Sequence, residues 1–314
     1  RNLFFENQFD KAAESFGKYL SRFPNGIFRT DAHYYRGESY AKLDQLDEAA
    51  AAYEKVIDRP VGKFTESALS RLGAIYLFQE EYSDALRVYE RLEGVAMYDA
   101  NILDARSGVM RAAYETLDHE KALRYAQLVL KEEKLDETIE VQAHYIFAFS
   151  KYKLGELDIA LTEFRKTNNM TKSIWGAKAK YYAAEVLYKQ GKYKASEDEI
   201  YEMIQQKPGY DYWLAKGYIL LADNYMGMGP EMYDQAEATL NSVLQHYPND
   251  DDNIKNEAQQ RLTTLQDLRN KGADEPQGGT KNMIIDMGDG EQSEEIYNNL
   301  APREEPDSTM LRRR

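Results

Sequence analysis

The chain has 314 residues, with 40 Lys and Arg against 54 Asp and Glu, a formal charge of −14 and no cysteine. Disulfides, thiolate metal sites and cysteine nucleophiles are thereby excluded, and the negative excess repels phosphate backbones, which argues against a nucleic-acid partner. At 43% hydrophobic and 30% charged residues the composition is that of a foldable chain, and no apolar run approaches the roughly 18 residues needed to cross a bilayer.

Residues 1–6 (RNLFFE) read as the tail of a helix whose beginning is missing, which would expose Leu3, Phe4 and Phe5. The expectation is the C-terminal part of a longer protein, with self-association through the severed repeat as a side effect. After this stub comes a repeat. The segments QFDKAAESFGKYL, QLDEAAAAYEKVI, EYSDALRVYERLE, DHEKALRYAQLVL, ELDIALTEFRKTN, KYKASEDEIYEMI and MYDQAEATLNSVL begin near residues 8, 45, 81, 118, 156, 192 and 232. Their small residues, Ala12, Ala49, Ala85, Ala122, Ala160, Ser196 and Ala236, are spaced by 37, 36, 37, 38, 36 and 40 residues. Upstream of the second to seventh segments lies a second helix-period stretch, in which Gly37, Gly73, Ala148, Ala184 and Ala222 mark where two helices approach closely. The spacing predicts a repeated helical hairpin with a small residue facing a small residue. Pro24, Pro60, Pro208, Pro230 and Pro248 fall between the helices, where FPNG (23–26), KPGY (207–210) and YPND (247–250) stop them.

These motif residues carry a resemblance to tetratricopeptide (TPR) repeats over about residues 1–248, with 252–271 as a polar-faced capping helix. The period departs from the family, whose repeat is about 34 residues; MGPEM at 228–232 is the evident insertion in the last repeat. The loosened repeats are similar to periplasmic and outer-membrane-associated TPR proteins of Gram-negative bacteria of the Bacteroidetes type. The fold implied is all-α: a right-handed α-solenoid of about six full repeats plus a truncated first one over 1–271. An acidic segment, 272–314, follows; it reads as disordered by composition, with NMIIDM (282–287) and SEEIYNNL (293–300) as stretches able to order on contact.

Catalytic chemistry finds no constellation. His33, His119, His144 and His246 are scattered and form no HExxH pair. DMGDGE at 286–291 lacks the alternating acids and distant glutamate of a calcium loop, and GMG at 227–229 follows a helix rather than a strand. The expectation is no enzyme, no cofactor and no metal.

In a solenoid the first helices of the hairpins line the groove. Spacing from the small residues directs Tyr34 and Glu38, Phe78, Arg111 and Tyr114, Tyr145, Phe149 and Tyr152, Tyr181, Glu185 and Tyr188, and Asp223 toward it. Tyrosine offers a broad face and a hydroxyl at small entropic cost, which suits a peptide or a partner helix. The resemblance excludes a carboxylate clamp, because the Lys and Asn of such clamps are replaced by Tyr34, Glu38, Ala74, Phe149 and Glu185. An acidic, aromatic groove is expected to prefer a neutral or basic, partly apolar ligand. The function implied is a protein-binding scaffold in a cell-envelope complex, in the periplasm or on the periplasmic face of the outer membrane. The alternative is a regulatory or targeting module of an enzyme encoded upstream of residue 1.

Overall fold

The computed structural model describes residues 1–274, and every regular element among them is helical. The two contact stretches expected in 282–300 lie outside the described residues, as does most of the segment expected from 272 onward. Helices run in chain order as α1 (Asn2–Phe5), α2 (Phe9–Arg22), α3 (Arg29–Lys42), α4 (Leu46–Ile57), α5 (Thr65–Phe78), α6 (Tyr82–Val95), α7 (Asp99–Glu115), α8 (His119–Val129), α9 (Glu137–Lys153), α10 (Leu157–Met170), α11 (Ile174–Lys189), α12 (Tyr193–Gln205), α13 (Asp211–Met228), α14 (Tyr233–His246) and α15 (Ile254–Asp274). The seven repeated segments become α2 and the even-numbered helices that follow, and α15 starts two residues later and ends three later than the expected cap. The chain divides into two compact units, Arg1–Ile146 and Phe147 onward, with the boundary inside α9.

Within each unit consecutive helices pack in antiparallel pairs, and first helices also touch one another, α5 on α7, α11 on α13 and α13 on α15. The turn inside each hairpin is nearly invariant. Asn7, Asp44, Glu80, Leu117, Gly155 and Gly191 all hold a left-handed backbone, with φ of 58°, 57°, 61°, 59°, 81° and 70°. The next residue's amide then donates back to the helix: Gln8 to Leu3, Gln45 to Tyr40, Glu81 to Tyr76, Asp118 to Ala113, Glu156 to Lys151 and Lys192 to Leu187, all at 2.8–3.0 Å. This is the Schellman closure, which satisfies carbonyls a helix end leaves orphaned. It reverses the chain in three residues. The last hairpin departs from it, since Gly229 and the 3-10 turn Pro230–Met232 occupy the insertion.

All seven repeat-defining small residues are at most 1% exposed. At Ser196 the extra hydroxyl is accommodated because it donates to the Ala184 carbonyl at 2.8 Å and accepts from the Asn224 amide at 2.9 Å. The close approaches differ from the expected small-on-small contact. Gly37 and Gly73 lie against aromatic rings: a Cβ on Gly37 would stand 2.8 Å from Tyr53, and one on Gly73 2.7 Å from Tyr89. The bare backbone makes room for a ring from the paired helix, so glycine serves a large neighbour rather than a small one. Repeats are further stitched at their turns, where Gln79 donates to Asp47 at 2.6 Å and Gln190 to Asp158 at 2.9 Å, both 32 residues apart in sequence. The acceptors sit in the first turns of α4 and α10, where the helix dipole favours a carboxylate.

Candidate functional site

In the second unit the first helices run parallel, because contacts advance together along them. Phe149 meets Tyr182 and Tyr152 meets Glu185; Tyr181 meets Lys216; Lys216 meets Glu257 and Asp223 meets Arg261. One continuous face results, built from the end of α9 and from α11, α13 and α15. Its floor is aromatic. Phe149 and Tyr182 pack edge to face at 5.0 Å, Tyr181 and Trp213 lie 5.4 Å apart, and Tyr212 stands edge-on to Trp213 at 5.2 Å. Such pairs contribute about 0.5–1.5 kcal/mol each beyond the area they bury.

A charged rim stands over that floor. Lys189 lies 4.5 Å from the centre of the Tyr152 ring, Lys153 5.5 Å from Phe149, Lys178 4.6 Å from Trp175 and 5.9 Å from Trp213, and Lys216 5.7 Å from Tyr181. An ammonium above a ring gains from the ring's negative face while its outer side remains able to donate. The carboxylates of the face are engaged inside it. Glu185 accepts the Tyr152 hydroxyl at 2.8 Å, Glu257 pairs with Lys216 at 3.1 Å, and Asp223 accepts from Arg261 Nε at 2.9 and 3.1 Å. Burial pushes the Asp223 carboxyl up against the pull of Arg261, and the Asp223 charge in turn raises the Arg261 guanidinium. Burial also lifts the Tyr181 and Tyr188 hydroxyls well above their ordinary range.

The sequence-predicted groove residues are not all surface. Phe149, Tyr152, Tyr181 and, in the first unit, Tyr114 and Tyr145 are buried. Their rings are covered by neighbours from adjacent helices, Tyr145 by Tyr114 at 6.0 Å and Phe149 by Tyr182. In the second unit Phe149, Tyr152 and Tyr181 form the floor rather than an open aromatic wall. Tyr188, Glu185, Tyr34 and Arg111 are partly exposed, and Phe78 is 47% exposed at the end of α5. Tyr34 stacks on Phe64 at 4.5 Å, and desolvation raises its hydroxyl to about 12. Glu38 accepts the Tyr53 hydroxyl at 2.7 Å and meets Arg71 at 3.4 Å, whereas Arg111 bonds back to the Ser107 carbonyl of its own helix at 3.3 Å. The groove expected to be acidic also carries lysines in the second unit. Lys153, Lys178 and Lys189 stand over rings of this face, while the carboxylates Glu185, Glu257 and Asp223 are engaged by Tyr152, Lys216 and Arg261. Sequence reasoning missed the lysines, Trp213 and Tyr182. The available signal was a lysine next to an aromatic on successive first helices, at Tyr152–Lys153 and Tyr188–Lys189. Among the described residues no group of three or more His, Cys, Asp or Glu is arranged to hold a metal, and no helix is long and apolar enough to cross a membrane.

Profiles of the tetratricopeptide repeat match residues 30–59 and again residues 212–250. Two of the helical hairpins thus match the tetratricopeptide repeat. Among solved structures, the C-terminal part of a TPR repeat-containing protein from Cytophaga hutchinsonii is similar at 18% identity and a TM-score of 0.56, over 83% of this chain and 96% of that one. A TPR protein from Parabacteroides merdae is similar at 14% identity and a TM-score of 0.49, over 83% and 95% of the two chains. YrrB, a TPR protein described as having an unusual peptide-binding site, is similar at 19% identity and a TM-score of 0.50, over 64% of this chain and 97% of that one. No curated protein matches the sequence. The matched profiles fall on the α3–α4 and α13–α14 hairpins, so TPR character is recognised in both units. Stacked helical repeats of this kind create extended concave binding surfaces.

Proposed function

We propose that this TPR protein is a non-enzymatic scaffold that binds a partner peptide or helix on the first-helix face of its second unit. The observation that carries this reading is the setting of Tyr152. Its hydroxyl is fixed on Glu185 and its ring is overlain by Lys189, so an aromatic floor is held rigid beneath a cationic, partly exposed rim. Preorganised aromatic surface with charged groups at its edge is what a protein ligand needs to gain affinity without a large ordering cost. Tyr188, Glu185, Lys189 and Lys153 are the residues proposed to meet the ligand, with Phe149, Tyr152 and Tyr181 supporting them from below. YrrB's described peptide-binding site makes a peptide the first ligand class to test. In the first unit Tyr34, Phe78, Arg111, Tyr114 and Tyr145 are proposed only as a secondary surface, of which Phe78 is the most accessible.

A photo-crosslinking amino acid at position 188 tests the site in cells. A discrete adduct from position 188, and none from position 87 on α6, is expected; adducts from 87 alone would reject the face. The resemblance to envelope-associated TPR proteins extends the proposal to a subunit of a bacterial cell-envelope complex. Fractionation checks it, with recovery in the periplasmic or outer-membrane fraction expected and recovery wholly in the cytoplasm contradicting it.

A further inference from the structure

The cationic rim of the second unit has a complement within the same chain. Residues 282–300 (NMIIDMGDGEQSEEIYNNL) contain five acids, Asp286, Asp289, Glu291, Glu294 and Glu295, and neither Lys nor Arg. They also hold Ile296, Tyr297 and Leu300, a set suited to an aromatic floor. We infer that segment 282–300 is an intramolecular ligand of the first-helix face, its carboxylates on Lys153, Lys178 and Lys189 and its apolar residues over the partly exposed rings of Trp175, Tyr182 and Tyr188.

Three observations carry this. First, Lys153, Lys178 and Lys189 stand over the rings of one face in a chain that is −14 as a whole, so the face offers an acidic ligand cations that the protein's average charge does not. Second, α15 lies beside α13 on this face and runs in the same direction. Arg269, near its end, pairs with Asp234 at 2.7 Å and Glu237 at 2.6 Å at the start of α14. The chain therefore leaves α15 at the edge where the helices of this face end, as α11 does in Lys189 and α9 in Lys153. Third, the distances fit. Seven residues, 275–281, separate the described chain from the segment and span up to about 25 Å when extended, and neighbouring helix axes lie about 8–10 Å apart. Nineteen residues reach up to about 60 Å, enough to cross α13, α11 and the end of α9. Tethering of this kind supplies an effective concentration of order millimolar, so weak contacts suffice to occupy the face.

The inference deepens the proposed function: an external partner binds by displacing the chain's own acidic segment. Its test requires no partner, so its failure leaves the scaffold reading standing. Zero-length carbodiimide crosslinking of the full-length protein, read by peptide mass spectrometry, joins lysines to carboxylates in contact. Crosslinks from Glu291, Glu294 or Glu295 to Lys153, Lys178 or Lys189 are expected, and they should fall at least fivefold in 0.5 M salt. The Lys153→Gln/Lys189→Gln variant, verified as folded by circular dichroism, should lose those to the remaining Lys178 by at least threefold. The inference is overturned if those acids link instead to lysines of residues 1–146, if no such links form, or if links to Lys178 persist unchanged in the variant. Mixing isotopically light and heavy chains separates a second copy from the chain itself. Mixed-isotope crosslinks at the face would overturn docking in cis.

Discussion

The Tyr89 ring lies directly against the bare Cα of Gly108: a Cβ on that glycine would stand 2.3 Å from the ring. A Cβ on Gly73 would stand 2.7 Å from the same ring. Tyr89 belongs to α6, and the two glycines to α5 and α7, so one fully buried ring is received by both neighbouring first helices. Gly108→Ala and Gly73→Ala should each lower stability by about 1–3 kcal/mol, the usual cost of overpacking. Gly94→Ala meets nothing within 4 Å and should be neutral or stabilising by a few tenths of a kcal/mol. Urea unfolding of the three variants checks the contrast.

The hairpin turns make a second, opposite prediction. Glu80 holds a left-handed backbone at an exposed position, where a side chain costs about 1 kcal/mol relative to glycine. Glu80→Gly should raise the midpoint of thermal unfolding. Gly155→Ala and Gly191→Ala, at the equivalent turns, should lower stability by about 1 kcal/mol each.

His33 gives a pH dependence. Burial, then the nearby charges of Arg29 and Arg36, lower its pKa from 6.5 to about 4. Between those values the unfolded chain is protonated at His33 and the folded protein is not, so stability present above pH 6.5 is lost as the pH falls toward 4. Because the ring is only partly buried, about 1–2 kcal/mol is expected from this group. His33→Gln should flatten the slope of unfolding free energy across that window.

Arg261 neutralises a buried carboxylate, since the Asp223 side chain is only 6% exposed. Arg261→Ala should therefore cost about 3 kcal/mol, and adding Asp223→Asn should restore most of it. Because burial already raises the Asp223 pKa, the Arg261→Ala variant should regain stability on mild acidification, as the folded state takes up the proton more readily than the unfolded one. Denaturation of both variants between neutral and mildly acidic pH reads the effect directly.

Much of the fold was legible because the buried small residues recur at a nearly fixed interval, and helix packing leaves no other use for Ala49, Ala85 or Ala122. The turns were partly legible. Asn7, Asp44, Gly155 and Gly191 are residue types that accept a left-handed backbone, whereas Glu80 and Leu117 adopt it only because the closure on either side demands it. The helices that carry the proposed site residues were legible, and the exposure of those residues was not. Spacing can direct Phe149 to a helix face, yet only the neighbouring helix decides that Tyr182 will cover it. The chain's −14 charge also concealed the lysines of the second unit, because an average over 314 residues carries no information about one face.

Selection of a displayed random peptide library on the immobilised full-length protein, followed by titration of the enriched peptides, tests the scaffold reading most directly. The account predicts enriched peptides whose affinity falls at least tenfold with Lys153→Ala/Lys189→Ala and is unchanged by Arg87→Ala, an exposed substitution on α6. Peptides that bind the lysine variant as tightly as the native protein, or a library that yields no binders, would contradict it.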